Sequence, residues 1–298
     1  MKADTTDDHM PAVVDLWLIE VGSTHSKKLK ANDAYQTRLI KKTFTEFRAR
    51  EVKPSSVNAF LKQFKAMPRT FNAYRSMLKE LMRFAEEKDM RLPGSNPVDS
   101  VKSMPLKART RYATDSELRR IKVAACYGDD GKRTRTGLMI CALIDMAYLT
   151  GQRIGDLLSL QWSQVDAMGI LFAPSKVEAS TGQKVFIEWS PKLRSLVERI
   201  KVLRTEVGKD NRRVITHVFN TQQGLPYTYY GASTAWKRAV KRSGVRGCTF
   251  HDIRAKAITD VDADRGIGHA QRMGGHSTQS QTADYVRHKK AVKTGATK

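Results

Sequence analysis

Acidic residues are the first shortage in this 298-residue chain. Asp and Glu number 30 against 53 Lys and Arg, a formal net charge of +23 with the histidines neutral. The excess runs along the whole chain and is not a detachable basic tail. Such an imbalance favours a polyanionic partner, phosphate backbones above all, with salt-dependent binding. Cysteine is scarce too. Cys126, Cys141 and Cys248 are odd in number and show no Cys-x-x-Cys spacing, so no disulfide framework is expected and they read as free thiols in a reducing compartment. No apolar run approaches the length of a membrane span, and no basic amphipathic anchor stands out. The first residues, Met1 to Asp8, are acidic and polar, unlike a signal peptide, so the expected compartment is the cytoplasm. Repeats and low-complexity tracts are also missing.

Two further absences narrow the chemistry. His269 and His276 have acids nearby, yet neither His-Glu-x-x-His nor Cys/His zinc spacing is present, so no metal is expected. The stretch Gly128 to Thr134 has neither the glycine spacing nor the Lys-[Ser/Thr] pair of a phosphate loop, so no nucleotide cofactor is expected either.

What is present is helical periodicity in two blocks, enough chain for two domains with a core each. After a disordered start over 1–10, four patterns follow in 11–88. The first carries Val14, Leu18 and Val21; the second, over 33–48, carries Ile40, Phe44 and Phe47. The third opens on Pro54 and shows Val57, Phe60, Leu61 and Phe64, and the fourth shows Phe71, Tyr74, Leu78, Leu81 and Ala85, each one apolar stripe. Their other faces are basic, and Lys41, Lys42, Lys62, Lys65, Arg69, Arg75 and Lys79 are the candidate DNA contacts. A solvated helix surface is the ordinary reading of such residues; the shortage of acidic partners tips it toward nucleic acid.

Residues 89–112 carry Pro93, Pro97 and Pro105 with little periodicity and read as an interdomain linker. Its Arg109 and Arg111 could lie along a DNA backbone. Thr114 to Glu117 is a capping box that opens a second domain over 113–285, and 286–298 is a short basic tail. In this domain Leu138 to Tyr148 is an apolar helix stopped by Gly151, and Ile154 begins the next amphipathic segment, which puts Arg153 at a helix junction. Gly169 to Phe172 and Lys184 to Glu188 read as two strands joined by a polar loop. His251 and Arg254 stand i, i+3 on a helix capped by Thr249. The fold class expected is mainly α with a small β-sheet.

Arg153, His251, Arg254, His276 and Tyr285 form a set suited to phosphate esters. Guanidinium forks grip phosphoryl oxygens, imidazoles carry protons near neutral pH, and a phenol can attack phosphorus once deprotonated. Singly, each has a bland reading as a cap or a surface residue; together they shift the odds. The string Thr150-Gly-Gln-Arg-Ile-Gly-Asp-Leu-Leu-Ser-Leu-Gln-Trp162 resembles the first signature box of the tyrosine recombinases, the phage integrase family. His251-x-x-Arg254 resembles the second box, and Gly275-His276 with Tyr285 nine residues later resembles the third.

That resemblance implies an N-terminal helical core-binding bundle, a mixed α+β catalytic domain, and cleavage and rejoining of double-stranded DNA. Tyr285 would be the nucleophile and His251 would take its proton. Arg153, Arg254 and His276 would hold the phosphate. A lysine on the β-hairpin would protonate the departing 5′ oxygen; Lys176 best fits it and Lys184 is its rival. Asp156, where relatives often carry glutamate, is implied to orient a basic residue, and Gly274, where relatives often carry leucine, to loosen the packing beside His276. The product is a 3′-phosphotyrosyl link, so neither cofactor nor divalent ion is required. The resemblance also implies a homotetramer on two DNA sites, with room for accessory DNA-bending proteins, and integration or excision of a mobile element as the role. A topoisomerase IB-like relaxing enzyme and a non-catalytic DNA-binding regulator are the alternatives.

Overall fold

The computed structural model describes residues 7–173, 184–207 and 215–287. The chain divides into two compact units, Met1–Lys107 and Ala108–Lys298. As expected, it is mainly helical with one small sheet. Among the described residues no helix is long and apolar enough to cross a membrane.

The first unit is built on α1 (Met10–Glu20), α2 (Lys27–Thr43), α3 (Pro54–Lys62) and α4 (Pro68–Glu87). The apolar stripes of α3 and α4 meet in one core with Met10, Val13, Val14 and Trp17 of α1. Aromatic rings join them: Phe64 stacks on Tyr74 at 4.5 Å, and Phe60 meets Phe44 and Tyr74 edgewise or tilted. The second helix starts earlier and stops sooner than the expected span of 33–48. It ends because Met10 N–H bonds to the Phe47 carbonyl and His9 bridges to Arg48, which draws 44–48 out of helical geometry. The same contacts order residues 7–10, which were expected to be disordered: buried Asp8 pairs with Arg48 and Arg50.

Most of the expected linker is also part of this unit. Met90, Val98 and Val101 are buried in its core, Arg75 Nε donates to the Val101 carbonyl, and Asn72 bonds Met104 through both its amide atoms. Short apolar contacts without period are what the proline count concealed.

The second unit contains α5 (Asp115–Cys126), α6 (Gly137–Thr150), α7 (Ile154–Leu158), the hairpin β1 (Gly169–Phe172) and β2 (Val185–Glu188), then α8 (Pro191–Val207), α9 (Tyr229–Arg242), α10 (Phe250–Arg265), α11 (Ile267–Gly274) and α12 (Gln279–Ala283). The strands are antiparallel, with Gly169 opposite Glu188 and Phe172 opposite Val185. Helix α6 is apolar nearly all round; Met139, Ile140, Ala142, Leu143, Ile144, Met146 and Ala147 are all buried, so it is the central helix against which α5, α8 and α10 pack. Gly151 ends it with a positive φ of 64°, its N–H bonded to the Ala147 carbonyl. That left-handed turn is what swings the chain so that Arg153 heads α7.

Candidate active site

The site is assembled from two separated stretches of the second unit's sequence, one around Arg153 and one from His251 to Tyr285. Arg153 stands at the N-terminus of α7, His251 and Arg254 lie on the first turns of α10, and His276 follows α11. Tyr285 comes just after α12, whose N-cap Thr278 accepts from Gln281 N–H. The structure brings the aromatic and basic members together. The Tyr285 ring centroid is 4.7 Å from that of His276 and 5.0 Å from that of His251, and the Arg254 Cζ lies 5.1 Å from the Tyr285 centroid. Thr259 of α10 secures this segment: its hydroxyl accepts from the Arg287 N–H and lies within bonding distance of the Tyr285 carbonyl.

Arg254 is 2 % exposed and firmly held. Nη1 donates to the Gly151 carbonyl at 2.7 Å, and Nη2 donates to the Gly274 carbonyl at 2.7 Å and to His276 Nε2 at 2.8 Å. Its Nε, and Nη1 of Arg153, are buried without a hydrogen-bond partner among the described residues. A buried donor left unmade is costly, and an anion's oxygens are the natural partners of two such guanidinium donors. Burial first, then the charge of Arg153, lowers the Arg254 guanidinium to about 10, with Tyr285 and Asp156 acting the other way. It stays charged at neutral pH.

The imidazoles respond to the same field. Burial, then the charges of Arg254 and Arg153, holds His276 down to about 4, so it is neutral under ordinary conditions. His251 is more open to solvent, but desolvation against the site and the Arg254 charge keep it below the usual histidine value. A neutral His251 is in the form that accepts a proton. Gly274 has a definite place here. A Cβ on it would come within 3.0–3.2 Å of three atoms of the His276 ring, so the imidazole itself fills the space that a larger residue would need and no looseness results.

Sequence reasoning missed how α10 is held. Asp252, Lys256 and Asp260 recur every fourth residue and form one polar stripe on this helix. Asp252 is fully buried, accepts both branches of the Arg109 guanidinium at 2.5 Å and also bonds the Thr249 N–H and hydroxyl. Burial would raise its carboxyl, but these bonds outweigh it and lower the value. Lys256, 2 % exposed, gives its ammonium to Tyr112 at 2.6 Å, Asp260 at 2.6 Å and Asp115 at 2.9 Å, between the rings of Tyr112 and Tyr148. The hydroxyls of Tyr112 and Tyr148 donate to Asp260 in turn. Arg109 and Tyr112 thus form a strap along one side of the helix that bears His251 and Arg254. A four-residue recurrence was the available signal, though alone it reads as a solvated face.

Other expected residues fall as follows. Asp156 is buried on α7. Lys176 lies outside the described residues; Lys184 stands exposed just before β2, whose Val185 reaches to within 2.9 Å of where a Gly275 Cβ would sit. Of the basic residues expected to meet DNA, Lys41 pairs with Asp15, Lys79 with Asp99 and Arg111 with Glu117, while Arg75 and Arg109 hold internal partners as described. Lys42, Lys62, Lys65 and Arg69 are exposed. Only Val286 and Arg287 of the basic tail are described.

Comparisons with known proteins bear on the family and the fold. A family model described as the phage integrase family matches residues 111–291. The integrase of Salmonella phage P22 is 23% identical over 219 residues, covering 71% of this chain and 52% of that protein. The shufflon-specific DNA recombinase of Escherichia coli is 26% identical over 167 residues, covering 55% of this chain and 36% of that one. The chain therefore matches about half or less of the length of these curated relatives. Among solved structures, a lambda integrase dimer bound to a COC′ core site superposes with a TM-score of 0.77 at 18% identity, covering 97% of this chain and 98% of that chain. A lambda integrase tetramer bound to a Holliday junction gives 0.81 at 18% identity, covering 96% and 80%. The shared fold extends over nearly the whole chain.

Proposed function

The chain belongs to the phage integrase family, and on that premise we propose that it is a site-specific DNA recombinase acting through a tyrosine nucleophile. The observation that carries the proposal is the placing of the Tyr285 ring about the guanidinium of Arg254 and between two imidazoles, with unpartnered donors on Arg254 and Arg153.

In this reading a backbone phosphate enters beside Arg254 and Arg153. Tyr285 Oη attacks phosphorus and passes its proton to the neutral His251. Negative charge gathers on the non-bridging oxygens, where the Arg254 Nε–H and Arg153 Nη1–H meet it; bonds that tighten with developing charge lower the barrier. The bond to the 5′ oxygen breaks, a lysine of the β-hairpin region (Lys176, or its rival Lys184) supplies its proton, and a 3′-phosphotyrosyl link remains. Attack by a 5′ hydroxyl of a second duplex reverses the step and returns the proton to the lysine. Energy of the broken ester is kept in the new one, so the exchange needs no external energy source.

Duplex DNA is the substrate, and the exposed Lys42, Lys62, Lys65 and Arg69 supply backbone contacts from the first unit. Four protomers acting on two sites, in the cytoplasm and with accessory DNA-bending proteins, complete the proposal; integration or excision of a mobile element is the role. The test is a nicked DNA site incubated with the protein and run on a denaturing gel. A covalent adduct with wild type that is absent with Tyr285→Phe supports the reading. No adduct on a site verified by footprinting refutes it, and adduct without strand exchange between two sites would leave only a relaxing enzyme.

A further inference from the structure

Hydrogen positions around His276 are fixed by the chemistry of its neighbours. A guanidinium has donors only, so the 2.8 Å contact between Arg254 Nη2 and His276 Nε2 requires a lone pair on Nε2. A neutral imidazole has one N–H, which then lies on Nδ1. Nδ1 is 3.0 Å from Thr282 Oγ1, a fully buried hydroxyl with no water to compete for it. The hydroxyl's own hydrogen is directed to the Thr278 carbonyl at 3.2 Å. Every donor in this chain runs one way, from Arg254 through His276 and Thr282 to the backbone of Thr278. Protonation of the ring would oppose a donor to a donor, in agreement with the depressed value of this histidine.

From this we propose that Thr282 is a positioning residue, which locks His276 in the Nδ1–H tautomer so that its Nε2 holds the Arg254 guanidinium and leaves the Arg254 Nε–H for a phosphate oxygen. The role in phosphoryl transfer rests on the function proposed above; the tautomer does not. In the free protein His276 thus acts through Arg254 and has no Nε2 hydrogen to offer. Arg254 Nη2 uses both of its hydrogens, on the Gly274 carbonyl and on His276, while Nε keeps its own unpartnered. Without the Thr282 acceptor the Nδ1–H would lie buried and unmade. The ring would then exchange to the other tautomer and turn an N–H toward Arg254, a repulsive contact that tilts the guanidinium.

The deciding measurement is a nitrogen NMR spectrum of the full-length, DNA-free protein labelled with 15N-histidine near neutral pH, with the His276 signals identified by their loss in His276→Phe. Wild type should show Nδ1 as the protonated ring nitrogen and Nε2 as the unprotonated one. Hydrogen on Nε2 instead overturns the proposal, and this result needs no Thr282 variant to fold. Thr282→Val, similar in shape, should move the population toward Nε2–H and slow adduct formation on nicked DNA roughly ten- to a hundredfold, as expected for a displaced catalytic group. Thr282→Ser should restore both. An altered tautomer with unchanged cleavage overturns the positioning role. Wild type that shows the Nδ1–H tautomer but never forms an adduct refutes the recombinase reading and not the tautomer.

Discussion

Replacing Lys256 by methionine tests whether charge, and not only apolar packing, holds α10 in place. Methionine keeps the stem of the side chain and removes the ammonium, so little volume changes. The ammonium has three oxygen partners at 2.6–2.9 Å and two aromatic rings at 4.8 and 4.9 Å. Removing one partner of a buried ion pair costs roughly 3–5 kcal/mol. Here the side chain of Asp260 is 30% exposed and that of Asp115 is 73% exposed, so water can reach both carboxylates once the ammonium has gone. That places the expected loss at the lower end, about 3 kcal/mol. For a folding unit of this size about 1 kcal/mol corresponds to roughly 2–4 °C in Tm, so the midpoint of the second unit should fall by roughly 6–12 °C. Calorimetry of the full chain at neutral pH and moderate salt reads it. A double-mutant cycle with Asp260→Asn should return a coupling of about 1–3 kcal/mol. A Lys256→Met protein within about 0.5 kcal/mol of wild type, or more stable, would refute the reasoning. It would mean that desolvating the ammonium offsets everything its partners contribute.

Four other outcomes follow from the structure of the second unit. Arg153→Ala and Arg254→Ala should abolish adduct formation while DNA affinity in a gel shift stays within about tenfold, because one phosphate contact among many is removed; a parallel loss of both would make these arginines backbone anchors only. Acid should destabilise the second unit through His276. Above the ordinary value of 6.5 neither state holds the proton; as pH falls toward about 4 the unfolded chain binds one that the folded site refuses. Stability should therefore drop by up to about 3 kcal/mol across that window, and His276→Asn should flatten this part of the Tm–pH curve. In Gly274→Ala, the gain in helix propensity of about 0.5–1 kcal/mol should largely offset the crowding, yet adduct formation should fall because the ring, bonded at both nitrogens, cannot yield; equal activity would show that it can. Cys126 and Cys141 have Sγ atoms 3.5 Å apart, and burial, then Cys126, holds the Cys141 thiol up at about 12. A diazene oxidant such as diamide should therefore couple them, faster at higher pH, and raise unfolding stability by about 3 kcal/mol; mass spectrometry of tryptic peptides from a Cys248→Ser protein reads the link.

The parts of the fold that were legible are those with a period or a stop signal. The stripes on α3 and α4 run at helical spacing, so their faces were evident from the residues alone. Gly151 sits after an apolar helix and does terminate it, which is why Arg153 could be placed at a junction. Signature boxes told which polar residues to group but not how they bond; that His276 faces Arg254 with a lone pair needs coordinates. The span 89–112 misled because its three prolines outweighed Met90, Val98 and Val101, which fill the first core one at a time. The thiol pair looked scattered because nothing local links position 126 to 141.

The least legible feature is the one that gives the site its accuracy. An apolar stripe tells a helix which side to bury but tolerates rotation about its axis, since hydrophobic contact is non-directional. The role proposed for Arg254 tolerates little of it: a catalytic group needs placing within roughly 0.5 Å and 10–20°. On α10 the opposite stripe is made of Asp252, Lys256 and Asp260, whose partners Arg109, Tyr112 and Tyr148 impose direction as well as contact. Each of these pairs spans more than a hundred residues of sequence. In the chain they read as charges on a wet surface, and only closure of the fold turns them into fixed points. Rotation of α10 that displaced Arg254 would have to break the Asp252 fork and strip the Lys256 ammonium of its oxygens together. A helix with a fully apolar back would face no such barrier, so weakening this stripe should loosen the aim of Arg254 before it unfolds the unit.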